Sequence, residues 1–189
     1  MSRSAVSSDK GQTLVELTLI LPLMLLLVYG VVEVGSAIST YLTLTHTVRE
    51  GANLASRGTD PDDALDAIIA AADPTMGAGN PGQWRIIYSR IVQEPGTPCT
   101  PECTYIIDNI EPNGQIVRGA LAQSSKLGTE GSVVNAAVGG FNNVAPGQTF
   151  HAIEVFYDYG PDVITFVGSG FDKIFYERAI FTDVSGTAN

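Results

Sequence analysis

Residues that usually carry chemistry are scarce in this chain. Its 189 residues include only two histidines and two cysteines. His46 and His151 are isolated and give no credible triad with the nucleophiles available. No Gly-x-x-x-x-Gly-Lys-Ser/Thr phosphate cradle and no nucleophile elbow occurs. Asp158-Tyr159-Gly160 and Gly168-Ser169-Gly170 read as turns. Asp183-Val184-Ser185 begins a metal-site motif that needs a second serine where Thr187 stands. Asp172 and Glu177 read as solvated surface acids. No enzyme, no metal and no cofactor is expected from this inventory. Basic charge is also short, with 10 Lys and Arg against 20 Asp and Glu. Such a chain lacks the footprint for a phosphate backbone, so nucleic acid is excluded as a partner. The acidity serves solubility and says nothing about fold.

What the chain does have is a long apolar run. From Leu14 to Val34 it holds about 20 residues, roughly 30 Å as a helix, the thickness of a bilayer core. A secretory signal has a shorter apolar region, although Gly35-Ser36-Ala37 would suit signal peptidase. A buried helix of a soluble core rarely stays apolar for so long. A membrane helix is therefore the expectation. Arg3 and Lys10 precede it and no Lys or Arg follows until Arg49. The positive-inside rule puts the N-terminal tail in the cytoplasm and the rest of the chain outside. Pro22 removes one backbone hydrogen bond inside the helix and should bend it modestly. Glu16 is a carboxylate at the lipid edge, and such a group is read as functional with a partner to be named.

The two cysteines are Cys99 and Cys103, in Thr97-Pro98-Cys99-Thr100-Pro101-Glu102-Cys103. Outside the cytoplasm a disulfide is the default. The loop it closes is short, so the gain is about 2–3 kcal/mol at best. A redox or metal pair is the alternative, poorly supported without a second cysteine pair.

The first helix should continue beyond the membrane. No proline interrupts Gly35 to Arg57. Val34, Ile38, Tyr41, Leu44, Val48, Ala52 and Ala55 recur in steps of three and four and mark one face. Ser39, Thr43, His46, Arg49, Glu50 and Asn53 mark the other. One helix of about 45 residues, Gln12 to Arg57, results, and its outer half needs a cover. Gly58 ends it. Asp60, Pro61, Asp62 and Asp63 then open a second helix that stops before Pro74, with capping favoured over calcium binding.

Beyond Gly77 the pattern changes to strands, at Trp84–Val92, Cys103–Asp108, Thr149–Tyr159 and Phe175–Val184. In the third, Ile153, Val155, Tyr157 and Tyr159 share a face. Residues 113–147 read as loops with one possible short helix. The fold class is α+β, with an antiparallel sheet packed on the outer half of the first helix.

The N-terminus resembles a known family. Gly11-Gln12-Thr13-Leu14-Val15-Glu16-Leu17, followed by Leu19-Ile20-Leu21-Pro22-Leu23-Met24-Leu25-Leu26-Leu27, is similar to TadE-like pseudopilins of the tight-adherence (Flp) pilus. Val31-Val32-Glu33-Val34-Gly35 and Val48-Arg49-Glu50-Gly51-Ala52 match further hallmarks. Tyr157-Asp158-Tyr159-Gly160-Pro161 resembles a later tyrosine- and proline-containing segment. Leu17 departs from the tyrosine frequent in pilins of this branch, and the chain is longer than a major pilin. The resemblance therefore implies a minor pilin or pseudopilin held in the inner membrane. It implies a prepilin peptidase that cuts between Gly11 and Gln12, and other pilins and pseudopilins as partners. The divisions implied are a leader over 1–11, a membrane helix over 12–34, an extracytoplasmic helical part over 35–76 and a β-rich part over 77–189. A cut after Gly11 would free the Gln12 amine, with an ordinary pKa near 7.7–8.0. Paired with Glu16 of a neighbouring subunit, it would neutralise both charges and set axial register. Gly30 and Gly35 would permit close helix approach. The competing reading is a single-pass envelope protein whose outer domain binds a ligand or partner without entering a filament.

Overall fold

The computed structural model describes residues 9–73, 75–76, 79–97, 103–108, 114–135, 146–160 and 174–184, with side chains from Leu14 onward. Helix α1 spans Asp9–Ser56 and runs unbroken through Pro22. Its end is built as expected. Gly58 takes a positive φ of 87°, and the amides of Gly58 and Thr59 donate to the carbonyls of Ala55 and Leu54 at 3.1 and 3.3 Å. Those two bonds satisfy carbonyls that have no partner inside the helix. Helix α2, Pro61–Ala71, starts where Asp60 accepts from the Asp62 amide at 2.9 Å. Asp62 and Asp63 occupy its first turn, where the helix dipole favours acids.

A single antiparallel sheet follows. Its strands are β1 (Trp84–Gln93), β2 (Tyr105–Ile107), β3 (Gln115–Gly119), β4 (Phe150–Asp158) and β5 (Ile174–Thr182). The path is β2-β1-β4-β5, and β3 also pairs with β1. One edge of β1 is shared end to end. Arg85–Ser89 pairs with β3 and Ile91–Gln93 pairs with β2. The other edge pairs with β4 along its length. The α+β arrangement is as expected, with one correction. Residues 115–119 form a strand inside the stretch read as loop and short helix. Its short Ile-Val core of β formers is too brief to announce itself, and pairing with β1 makes it a strand.

The sheet is covered on both faces. One face packs on α1 and α2 through Leu44, Val48, Ala52, Ala55, Leu65, Ile68, Ile86, Tyr88, Ile153 and Val155. Each fully buried Leu, Ile or Val side chain of this set contributes about 1.5–3 kcal/mol. The other face carries a second cluster of Ile91, Tyr105, Ile107, Leu127, Val134, Phe150 and Ala152. Here the segment from Leu121 to Asn135 folds back over the sheet, so β4 is buried on both sides from Phe150 to Phe156.

Glu154 sits fully buried in that second layer. Its carboxylate accepts from the Lys126 amide at 2.9 Å, from the Tyr176 hydroxyl at 2.8 Å and from the Ser125 hydroxyl. A buried carboxylate is tolerated when its lone pairs are met in this way.

The stripe expected along α1 is only half covered. Leu44, Val48, Ala52 and Ala55 are 0–1% exposed, whereas Val34, Ile38 and Tyr41 are 54%, 55% and 41% exposed. Gly51 explains how closely α2 can lie on α1. A Cβ there would stand 2.0 Å from Cδ1 and 2.3 Å from Cγ1 of Ile68.

Candidate functional site

Below the sheet, α1 projects without cover. Leu14, Leu19, Leu25 and Val31 are exposed, like the apolar residues between them. The segment is long and apolar enough to cross a membrane, with a mean hydropathy of 2.3 and none of its most apolar stretch buried. In water such a surface would be unstable, and in lipid it is the expected solution. Thr18 fits this setting, because its hydroxyl donates to the Leu14 carbonyl at 2.7 Å and leaves no free donor in lipid.

Gly11 and Gln12 lie in the first turn of α1, and Glu16 lies one turn further on. Glu16 is exposed and has no hydrogen-bond or ion-pair partner among the described residues. A partner for this carboxylate, if α1 is in lipid, must come from outside the described chain. Gly30 and Gly35 face open space, with nothing within 4 Å of where a Cβ would stand. Their surface is free for another helix.

The head reaches down α1 on one side. The Tyr159 hydroxyl donates to the Glu33 carbonyl at 3.3 Å. Tyr159 stacks on Phe175 with 5.4 Å between centroids, and Phe175 meets Tyr41 edge-on at 6.0 Å.

Other expectations fare variously. Cys103 is half-buried and packs against the second cluster, while Cys99 lies outside the described residues. Asp172, Gly168-Ser169-Gly170, Pro161, Ser185 and Thr187 also lie outside them. Glu177 is not simply a solvated acid. It is half-buried, and its hydrogen bond with the Tyr41 hydroxyl, together with its charge, holds that hydroxyl above its usual pKa.

His151 is not isolated, contrary to the sequence reading. Its Nδ1 is hydrogen-bonded to the Tyr88 hydroxyl at 2.7 Å. Its Nε2 lies 3.7 Å from Asp183 Oδ2, an ion-pair distance too long for a hydrogen bond. The β1–β4 register places Arg90 opposite His151, and Arg90 pairs with Asp108 at 3.5 Å. Burial pushes the His151 pKa down, and the Asp183 charge opposes the shift. No serine or cysteine completes a nucleophilic site around this histidine among the residues described in contact with it. The group acts as a polar plug at the end of the helix-facing core. Among the described residues no cluster of His, Cys, Asp or Glu could hold a metal ion. A cleft of about 60 Å³ between α1 and α2, lined by Glu50, Gly51, Leu54 and Ile68 among others, is small and shallow.

Residues 11–53 match the family model described as TadE-like protein. The match begins at Gly11, takes in Glu16 and the exposed apolar helix, and ends three residues before α1 does. No curated protein and no solved structure is significantly similar to the chain. The resemblance read at the N-terminus therefore holds over residues 11–53, and that segment of the chain is TadE-like.

Proposed function

We propose that the chain is a minor pilin or pseudopilin of a tight-adherence (Flp) pilus, anchored by α1 in the inner membrane with its head outside. The observation that carries this reading is an exposed apolar helix inside the TadE-like match, with the unpartnered Glu16 one turn beyond Gly11-Gln12. Prepilin peptidase cuts after Gly11 and frees the Gln12 amine. Before assembly the helix holds the subunit in lipid. On assembly Glu16 pairs with the Gln12 amine of a neighbouring pilin or pseudopilin. Sliding one helix past another then leaves two charges unpaired in lipid, which fixes register. Gly30 and Gly35 let the neighbouring helix come close. The head plays a structural part in priming or assembling the fibre, with no catalysis.

The divisions follow the same logic, with a leader over 1–11, a membrane helix over 12–34 and an exported remainder. Export makes a Cys99–Cys103 disulfide the stable state of the two thiols. That no cysteine among the described residues is free supports the pairing.

The reading is tested at the N-terminus. The mature protein from the native host should begin at Gln12 by Edman or mass analysis. An intact Met1 would leave only a single-pass envelope protein, and a start at Ile38 would make the domain a secreted one. Alkylation without reductant should label neither cysteine. Free reaction of both thiols would remove the chemical support for export.

A further inference from the structure

We propose that the end of the sheet that carries Tyr159 and Phe175 rests in the headgroup layer of the bilayer that α1 spans. Tyr159 and Phe175 form its aromatic contact with lipid, and Tyr41 continues the row of rings above it. The inference rests on the reading of α1 as a membrane anchor.

The axial positions come first. Leu14 to Val32 covers about 28 Å of helix at 1.5 Å per residue, close to the thickness of a hydrocarbon core. Glu33 therefore falls at the outer boundary of that core. The Tyr159 hydroxyl binds the Glu33 carbonyl itself. The head thus touches α1 at the level where hydrocarbon gives way to headgroups.

The chemistry agrees with the position. Tyr159, Phe175 and Tyr41 form a continuous row of rings at 5.4 and 6.0 Å. Tyr159 and Phe175 are half-buried, and Tyr41 is 41% exposed. Amphipathic rings with one end apolar and the other wet are enriched at this depth of a membrane. The surface of α1 beside them also remains apolar past the core. Val34 and Ile38 are 54% and 55% exposed. This stretch, from Glu33 to Ile38, is about 8 Å long, roughly the depth of the headgroup zone. Covered by lipid headgroups on one side and by the aromatic row on the other, it leaves little apolar surface in water.

Charge argues against the alternative of an electrostatic platform. Glu33 and Asp158 flank the contact and would be repelled by anionic lipid. The contact is therefore apolar and aromatic, and it should persist in zwitterionic lipid and at high salt.

The test uses the full-length chain, one copy per phosphatidylcholine nanodisc, so that no second copy can cover the face. Tryptophan is introduced as Phe175→Trp, as Tyr159→Trp and, for comparison, as Val184→Trp. Val184 is an exposed residue beyond the opposite end of β5, with its amide on the Ser56 carbonyl. It stands about 30 Å away along the strand. Quenching by lipid spin-labelled near the headgroup is measured, with the signal of the native Trp84 subtracted. Phe175→Trp and Tyr159→Trp should be quenched roughly threefold more than Val184→Trp, with little change at high salt. Equal quenching of all three in protein that stays with the discs would overturn the docking and leave the anchor intact. Protein that fails to enter discs would overturn the anchor reading instead. Quenching confined to filaments or to discs holding two copies would assign the aromatic row to a neighbouring subunit. Should Phe175→Trp misfold, Tyr159→Trp gives the same reading from the other ring.

Discussion

The two halves of α1 look alike in sequence and behave oppositely in space. An apolar surface runs the whole length, as an almost unbroken run up to Val34 and as a stripe at helical spacing beyond it. From Leu44 to Ala55 it is sealed against the sheet and α2; from Leu14 to Leu42 it meets nothing in the chain apart from the foot of the head. Size follows the division. The projecting half is rich in Leu, Val and Ile, which present bulk to a fluid partner. The covered half uses Gly51, Ala52 and Ala55, which let a second helix and a sheet come near. A stripe of apolar residues thus shows that a partner exists. Bulk faces a fluid partner, and small residues mark where a rigid one comes close, inside the chain at Gly51 and, in the proposed assembly, from a neighbouring helix at Gly30 and Gly35.

Glu16→Ala should separate the halves most strongly. The change lies in the projecting half, so the head should fold with an unchanged melting temperature, and insertion should be no harder. Association with partner pilins should weaken by about 3–5 kcal/mol, because the neighbour's amine is left without a charge to pair. Glu16→Asp should fall between. Co-purification with the other pilins and a count of pili per cell are the measurements, and wild-type piliation by Glu16→Ala would end the amine-pairing mechanism.

Gly51→Val should do the reverse. Its Cβ collides with Ile68, so Ile68 must turn within a packed core beside Ile153. Overpacking of this kind costs about 1–3 kcal/mol. Thermal unfolding in detergent should show a less stable head, while membrane insertion and processing stay as in the wild type. A head as stable as the wild type would mean that the two helices can move apart freely.

The smallest effect concerns acid. Burial holds the His151 pKa below its ordinary 6.5. The unfolded chain then takes up the proton first, so stability is complete above about 6.5 and falls as pH drops toward the folded pKa. His151→Gln should flatten this part of the stability–pH curve. Asp183→Asn should steepen it, since the Asp183 charge favours the protonated ring. Identical curves for all three proteins would show that His151 does not titrate on folding.

Much of the architecture was legible because its signals are local. Asp60-Pro61 opens α2, Gly58 closes α1, and the alternation in β4 exposes its strand character. The unread parts depend on residues distant in the chain. Nothing near Glu154 announces that Ser125, the Lys126 amide and Tyr176 will surround it, so a buried glutamate was invisible. Tyr88 and Asp183 meet His151 only through strand register and the end of β5. The point at which the α1 stripe loses its cover depends on where the sheet ends, which no periodicity in α1 records. For the candidate site, Gly11, Gln12 and Glu16 could be picked out because the chemistry of a membrane edge is written in consecutive residues. The aromatic row at Tyr41, Tyr159 and Phe175 joins three separate segments and could not be.

The continuity of α1 through Asp9–Ser56 has a mechanical consequence. No loop separates the membrane segment from the part gripped by the head, so there is no slack between them. Each residue of α1 advances about 1.5 Å and turns about 100°. A subunit lifted and rotated by its lower end therefore carries its head through the same displacement and the same angle, as a rod carries a handle. Whatever register is set near Glu16 is reproduced at the outer surface, where it decides which face of the head is shown.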